Sequence, residues 1–441
     1  MIRLRDHFTV RRLLRFTFPS IVMMVFTSIY GVVDGFFVSN FVGKEAFTAV
    51  NFVMPVIMIL GGFGFMFGTG GGALISKTLG EGKNDRASRL FSMVILVSAA
   101  VGVLVAVVGI LILRPVTALL GAEGQMLDDC VLYGRVVLAG VPAVFLQYEF
   151  QSLFSTAEKP RLGLVITVAA GVTNMALDAL FVGLFGWGLV GAAAATVASQ
   201  CVGGLLPIWV FLSGRGGLLR LCRPVWEPLA LGKICVNGSS ELMSNIAMSV
   251  VSMLYNYQLL RFAGEDGVAA YGVLMYVNMI FLAMFIGFSI GTAPVIGYHF
   301  GAQNREELRG LLRRSLSVIA AFSGAMFAAS LLLARPLSLL FVGYDAALTD
   351  MTVHAFWIYS FSFLFSGFAI FGSSFFTALN DGLTSALISF LRTLVFQVAA
   401  VLIFPLIWKL DGIWLSIVFA EAAAVLVTVA FLAGKKKKYG Y

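Results

Sequence analysis

Four polar residues in the N-terminal half of the chain fall inside long apolar stretches and could together bind a cation. Asn174 and Asp178 stand four residues apart in VTNMALDALF, so a helix places them on one face. Asp34 and Thr196 lie in two other apolar stretches. At about 1.5 Å per residue, Asp34, Asp178 and Thr196 all lie roughly 10 Å below the same end of their predicted helices. We therefore expect these side chains to converge at one level.

The chemistry of this set favours a small cation. Two carboxylates, an amide and a hydroxyl offer only oxygen ligands, which suit a hard ion such as Na⁺. Two neighbouring carboxylates do not readily both ionise, so one of them can hold a proton instead. The alternative without a ligand is a structural polar network, in which these side chains hold the helices together by hydrogen bonds. Because charges inside a bilayer are costly, we predict a cation-coupling site for H⁺ or Na⁺ made of Asp34, Asn174, Asp178 and Thr196.

The C-terminal half has no matching set of residues. Glu241 and Arg392 lie at similar depths in two predicted helices, which permits either an ion pair or a second coupling site. A further group is predicted to line a substrate cavity, because flexible methionines, aromatic faces and scattered polar groups suit an adaptable apolar pocket. These residues are Tyr30, Met54, Glu149, Gln151, Asn256 and Met275.

The elements that must position these residues are transmembrane helices. The chain has 441 residues, of which 60% are hydrophobic and 12% charged, whereas a soluble domain carries roughly 25% charged residues. The four cysteines and three histidines have no metal-ligand spacing. No glycine-rich loop is followed by GKS or GKT, so ATP does not drive this chain through a domain of its own. The composition predicts an integral membrane protein without a cofactor and without a nucleic-acid partner.

Twelve apolar runs are long enough to cross a bilayer as helices. They cover residues 16–39, 48–76, 90–113, 130–156, 162–184, 189–213, 229–260, 268–298, 314–334, 352–378, 383–405 and 412–433. With the N-terminus inside, 23 lysines and arginines fall on the cytoplasmic side and five on the outer side. This bias predicts that both termini are cytoplasmic. The LysLysLysLys run at residues 435–438 is interpreted as a topology anchor.

The two halves of the chain are related by an internal repeat. Residues 41–90 align with residues 262–311 without a gap, at an offset of 221, and twelve of the fifty positions are identical. Each half then holds six helices in the same orientation, as in transporters built from parallel repeats around a central cavity. We predict an N-lobe at 1–213, a cytoplasmic linker at 214–228 and a C-lobe at 229–441.

Several motifs resemble the multidrug and toxic compound extrusion (MATE) family, and the resemblance extends over essentially the whole chain. The motifs are the first helix with its acid near the outer end, VTNMALDALF, GLVGAAAATVASQ and GTAPVIGYHFGAQN. The last of these is usually written with Gln-Pro, where this chain has Ala293-Pro294. The family's N-lobe cation site matches Asp34, Asn174, Asp178 and Thr196, and a glutamate of its sodium-coupled branch matches Glu241. That branch also uses an acid on the tenth helix, which this chain lacks.

The resemblance implies a multi-pass transporter of the cell membrane, of the bacterial multidrug type, and no enzyme. It would export amphipathic, often cationic, organic compounds in exchange for H⁺ or Na⁺, and act as a monomer. The alternative within the superfamily is a flippase for a lipid-linked precursor. That cargo favours cationic side chains in the cavity, and only Arg135 and Arg392 lie within predicted spans.

Overall fold

The computed structural model describes residues 2–37, 41–42, 44–119, 122–214 and 217–441. At positions 32, 34–37, 44–49 and 51–55 it describes the backbone alone. The regular structure of the described residues is helical throughout, without a strand. Helices are what the composition requires, because backbone N–H and C=O groups in a bilayer must be satisfied within the segment itself.

Thirteen α-helices follow one another along the described chain. They are α1 (Val10–Phe37), α2 (Lys44–Gly80), α3 (Asn84–Leu119), α4 (Gly124–Ala139), α5 (Val141–Thr156), α6 (Pro160–Asp178), α7 (Gly188–Leu212), α8 (Pro228–Gly301), α9 (Arg305–Val342), α10 (Ala346–Tyr359), α11 (Phe363–Ala378), α12 (Gly382–Phe390) and α13 (Gln397–Tyr439). A π-helical turn extends α6 over Ala179–Leu184, and another joins α12 to α13 over Leu391–Phe396.

These helices provide twelve membrane crossings. Nine helical segments of the described chain are long and apolar enough to span a bilayer, and the bent pair of α4 and α5 makes ten. Two of the segments are interrupted by a residue with non-helical backbone angles, Gly264 in α8 (φ 64°) and Lys409 in α13 (φ 52°). Each interruption leaves a helix of spanning length on both sides. The predicted all-helical, two-lobed membrane fold is confirmed.

The fourth predicted span is bent. Helices α4 and α5 meet at 55° around Gly140. Pro142 lies in the first turn of α5, where its missing N–H is tolerated, and the lost hydrogen bond to the preceding turn, together with the bulk of its ring, favours a bend there. The apolar run 130–156 therefore forms two helices, where the sequence suggests one.

The internal repeat is visible in the turns that end the helices. Gly82 and Gln303 both have a left-handed backbone, and so do Gly188 and Lys409. Both pairs are 221 residues apart, which is the offset of the sequence repeat. Left-handed residues are uncommon outside glycine, so their recurrence at this offset indicates that the two halves share the same sequence of turns.

The two halves meet along a seam formed by α2 and α8 near the ends that carry the basic loops. A Cβ atom added to Gly80 would overlap the carbonyl oxygen of Tyr298, and one added to Gly301 would overlap that of Lys77. The two contacts are equivalent at the 221 offset, so the seam is symmetric. Glycine permits this backbone approach between membrane helices. We call this end of the molecule the basic side, and the contact between Gly80, Gly301, Lys77 and Tyr298 the interlobe seam.

Two chain segments cross from one half to the other beside the seam. The N–H of Phe8, ahead of α1, donates to Glu307 Oε1 at the start of α9 (2.9 Å). Arg86 near the start of α3 forms an ion pair with Glu227, just ahead of α8 (2.8 Å). Arg86 and Glu307 are again 221 residues apart. Leu4 and Phe8 are completely buried, so this N-terminal segment packs as part of the core and reinforces the closed basic side.

The end of α13 is anchored to the turn between α11 and α12. Asp381 in this turn accepts hydrogen bonds from Lys435 Nζ (2.6 Å) and Tyr439 Oη (2.8 Å). Burial opposes ionisation of Asp381, but these bonds and one within the turn to Thr384 outweigh it and lower the pKa of its carboxyl. The basic run at residues 435–438 thus continues the last helix, and its first lysine is held by a carboxylate.

This anchor is expected to weaken as the pH falls. Because the pKa of Asp381 is lowered in the folded chain, its contribution is present above the ordinary aspartate pKa and is lost as the pH falls through the folded pKa. At neutral pH, Asp381→Asn removes the charge and should lower the free energy of unfolding by about 1–2 kcal/mol. Thermal unfolding in detergent measures the effect, with Asp266→Asn at an exposed position as the control. Equal melting temperatures for both variants would contradict it.

Candidate ion-coupling site

The centre of the predicted cation site is the buried polar face of α6. Asn174 is 1% exposed and Asp178 is 0% exposed, so the helix presents both side chains to the protein interior. Helix α6 packs against α1 and against α7, which are the helices that carry the other two predicted ligands. The π-helical turn Ala179–Leu184 begins directly after Asp178, and such turns occur often at functional sites.

The chemistry of this face fits a cation. Asn174 Oδ1 is buried and has no hydrogen-bond partner among the described residues, so an acceptor is left for a ligand. Thr196 on α7 is partly buried and donates its hydroxyl proton to the carbonyl of Ala192 (3.0 Å). The oxygen of that hydroxyl keeps its lone pairs, so it can still act as a ligand to a cation. Amide and hydroxyl oxygens beside a carboxyl are the ligand types that a hard ion prefers.

Asp34, the fourth predicted ligand, belongs to α1, but its side chain lies outside the described residues. Its neighbour one turn earlier, Tyr30, lies against α6. A Cβ atom added to Gly171 would come within 3.2 Å of the Tyr30 ring, and Gly171 precedes Asn174 by three residues. Tyr30 is thus at the α1–α6 interface beside the predicted cation site, and its role in a substrate cavity stays a prediction.

Glu149 and Gln151 are enclosed in this conformation, and their place in a substrate cavity stays a prediction. They are 0% and 2% exposed, respectively. Helix α5 packs closely on α2, where a Cβ atom added to Gly68 would lie 2.9 Å from the Glu149 Cα. The hydroxyl of Ser98 on α3 faces the Glu149 carboxyl. The glycine face of α2 lets α5 approach so closely that both side chains are enclosed within the N-terminal half.

The remaining cavity candidates lie in different surroundings. Asn256 is exposed, and Met275 is partly buried against the apolar core of the C-terminal half. The side chain of Met54 is outside the described residues. Their membership of one substrate cavity stays a prediction.

Arg392 has a different partner from the one predicted. Its guanidinium holds the Glu421 carboxylate through three short contacts of 2.8, 2.9 and 3.1 Å, and not that of Glu241. The Arg392 side chain is 13% exposed and that of Glu421 2%. Arg392 and Glu241 lie at similar predicted depths in the membrane, which suggested that they pair. The π-helical turn that carries Arg392 instead packs against α13, which carries Glu421. Glu421 is also an acid in the middle of a predicted span (residues 412–433), but counting residues along the span does not give the direction of its side chain.

Glu241 is close to this pair without joining it. The charge of Arg392 acts on the Glu241 carboxyl, which is partly exposed. On the neighbouring face of α8, a Cβ atom added to Gly62 of α2 would lie 3.2 Å from Leu242 and from Asn245. Glu241 therefore lies beside the contact between the two halves.

Comparison with known proteins gives a consistent result. The MatE family model matches residues 19–180 and 242–403, so it matches once in each half. The multidrug export protein MepA of Staphylococcus aureus (strain MRSA252) is 23% identical over 425 residues, which cover 95% of this chain and 92% of MepA. MepA of Staphylococcus saprophyticus is 23% identical over 423 residues, with the same coverage.

Solved structures share the fold. A crystal structure of MATE in complex with MaL6 superposes with a TM-score of 0.93 at 22% identity, covering 99% of this chain and 98% of that one. An outward-facing multidrug resistance MATE family transporter superposes equally well, with a TM-score of 0.93 at 22% identity over 99% of this chain and 97% of that one.

Proposed function

Since the chain belongs to the MatE family, and is thus a membrane transporter and not an enzyme, we propose that it is a secondary active multidrug efflux antiporter. It exports amphipathic, often cationic, organic compounds in exchange for H⁺ or Na⁺. The observation that carries this proposal is the buried polar face of α6, where Asn174 and Asp178 offer oxygen ligands inside a membrane-spanning helix. The multidrug export named for the MepA relatives supports the substrate class.

The coupling follows from competition between two states. The cation binds at Asp178 with Asn174, Thr196 and Asp34, and it must favour one state of the lobes while the exported compound favours the other. An N-lobe at 1–213 and a C-lobe at 229–441, joined by the linker 214–228, are the bodies that move. The two separate family matches and the repeated left-handed turns support this division. The antiporter acts as a monomer.

The closed basic side supports an outward-open state for this conformation. The 23 basic residues predicted on that side support a cytoplasmic orientation, and the interlobe seam together with the two crossing contacts closes it. Alternating access then requires the seam to separate, so that the cavity opens to the cytoplasm.

A flippase for a lipid-linked precursor is the less favoured function. Phosphate groups would need free cationic side chains within the membrane. Arg392 is already neutralised by Glu421, which removes one of the two mid-span candidates; the other, Arg135, is exposed on α4. The acidic and amide groups of the two halves favour a cationic cargo.

Vesicles with imposed gradients test the proposal. Purified protein is reconstituted, and the movement of a cationic fluorescent dye is followed with a pH gradient alone and with a Na⁺ gradient alone. We expect dye movement against its own gradient with at least one of the two, because the site on α6 binds a cation of that kind. Protein-free vesicles are the control. Absence of driven movement under both gradients would contradict antiport.

A further inference from the structure

The buried charges of the C-terminal half do not balance. Two carboxyls, Glu241 and Glu421, lie near a single guanidinium, that of Arg392. The guanidinium is bound to the more deeply buried acid, and the more accessible acid is left with no ion pair in the described chain. Glu241 can therefore pair with one further positive charge.

The more buried acid, Glu421, has a second possible donor nearby. Tyr255 is 2% exposed, and its hydroxyl has no hydrogen-bond partner among the described residues, although it is close enough to Glu421 for the two groups to interact electrostatically. Its ring stacks on Tyr271 at 5.2 Å, which holds it in place. A buried hydroxyl without a partner is costly. This one would gain a partner if Arg392 left Glu421.

The backbone that carries Arg392 is suited to a change of direction. Arg392 lies in the π-helical turn Leu391–Phe396, between α12 and α13. A π-helical turn contains one residue more than an α-helical turn, and conversion between the two rotates the side chains that follow. The arginine side chain is also long and flexible, so its charged end can reach alternative partners without movement of the helix.

We propose that Arg392 is a tethered cation that alternates between Glu421 and Glu241 and competes with the exported cation for Glu241. In the arrangement of this structure Arg392 is on Glu421, which leaves Glu241 able to bind a cationic compound. In the second arrangement Arg392 is on Glu241 in place of the compound, and the Tyr255 hydroxyl donates to Glu421. This inference rests on the proposed export of cations, and it makes Arg392 and Glu421 determinants of specificity without direct contact with the cargo.

The two partners of the ion pair are then expected to have opposite effects on binding. Arg392→Gln removes the competitor, so the affinity for a cationic dye should rise about tenfold. Glu421→Gln releases Arg392 to Glu241, so that affinity should fall about tenfold. A neutral dye should bind both variants as it binds the wild type. Equilibrium binding to the purified full chain in detergent, followed by fluorescence anisotropy, measures these affinities without any gradient.

Three further variants separate the inference from its alternatives. Arg392→Lys keeps the charge and should bind the cationic dye like the wild type. Arg392→Gln should have no effect in a Glu241→Gln background, because the site of competition is absent. The double variant Arg392→Gln with Glu421→Gln avoids an unpaired buried charge and keeps the test possible if a single variant fails to fold. A shift of both single variants in the same direction would overturn the inference, whereas failure of the wild type to bind the cationic dye would overturn the proposed function.

Discussion

Replacing Asp178 with asparagine is expected to abolish gradient-driven efflux while the protein stays folded. Asparagine has nearly the shape of aspartate and keeps an oxygen at the site, but it neither ionises nor takes up a proton. Asp178 is completely buried on α6, so the change also removes the cost of a charge in the membrane. The variant should bind the exported compound, and dye movement in vesicles should fall to that of protein-free vesicles under both gradients.

The same experiment needs a control that matches the chemistry of the change. Asp350→Asn makes the identical substitution at an exposed position of α10, and it should leave efflux unaltered. Size-exclusion chromatography and thermal unfolding establish that both variants are folded. Undiminished efflux by Asp178→Asn would remove the cation site from α6. A loss of dye binding together with a loss of efflux would show that Asp178 serves the cargo instead.

The fold could be predicted to a large extent because a bilayer restricts the possibilities. A run of about twenty apolar residues has to cross as a helix, so hydropathy predicts the spans. The sequence repeat at an offset of 221 residues predicts the two halves. The π-helical turn after Asp178 and the bend at Gly140 were not predicted. The π-helical turn depends on local backbone geometry, which an almost uniformly apolar sequence does not record. Pro142 alone does not predict the bend, because Pro207 lies inside the continuous helix α7.

For the site, the sequence predicts only how deep each residue lies in the membrane. Counting residues along a span places Arg392, Glu241 and Glu421 at a level in the membrane, but it leaves the direction of each side chain open. The extra residue in the π-helical turn changes the direction of the Arg392 side chain. Arg392 therefore pairs with Glu421 and not with Glu241. Glu149 shows the same limit, because a helix that is apolar all round does not reveal which face meets a cavity and which meets another helix.

Replacing Gly301 with leucine is expected to force the two halves apart on the basic side. The new Cβ atom would overlap the carbonyl oxygen of Lys77, which belongs to the backbone of α2 and cannot rotate away. Overpacking of this kind costs about 2 kcal/mol, which corresponds to a roughly 30-fold change in the population of the closed state. A protein that cannot close on the basic side cannot complete the transport cycle, so efflux should be lost as well.

The opening can be measured with a cysteine that the chain already has. Cys235 on α8 is partly buried, and the carbonyl of the preceding residue, Ile234, lies against Gly70 of α2, so separation of the halves should expose its thiol. In a chain with the other three cysteines replaced by serine, a membrane-impermeant maleimide should label Cys235 faster in the Gly301→Leu variant. Gly272→Leu is the matched control, because it lies in the same helix and a Cβ atom there meets nothing within 4 Å. Equal labelling rates in the two variants would mean that the seam does not hold the basic side closed.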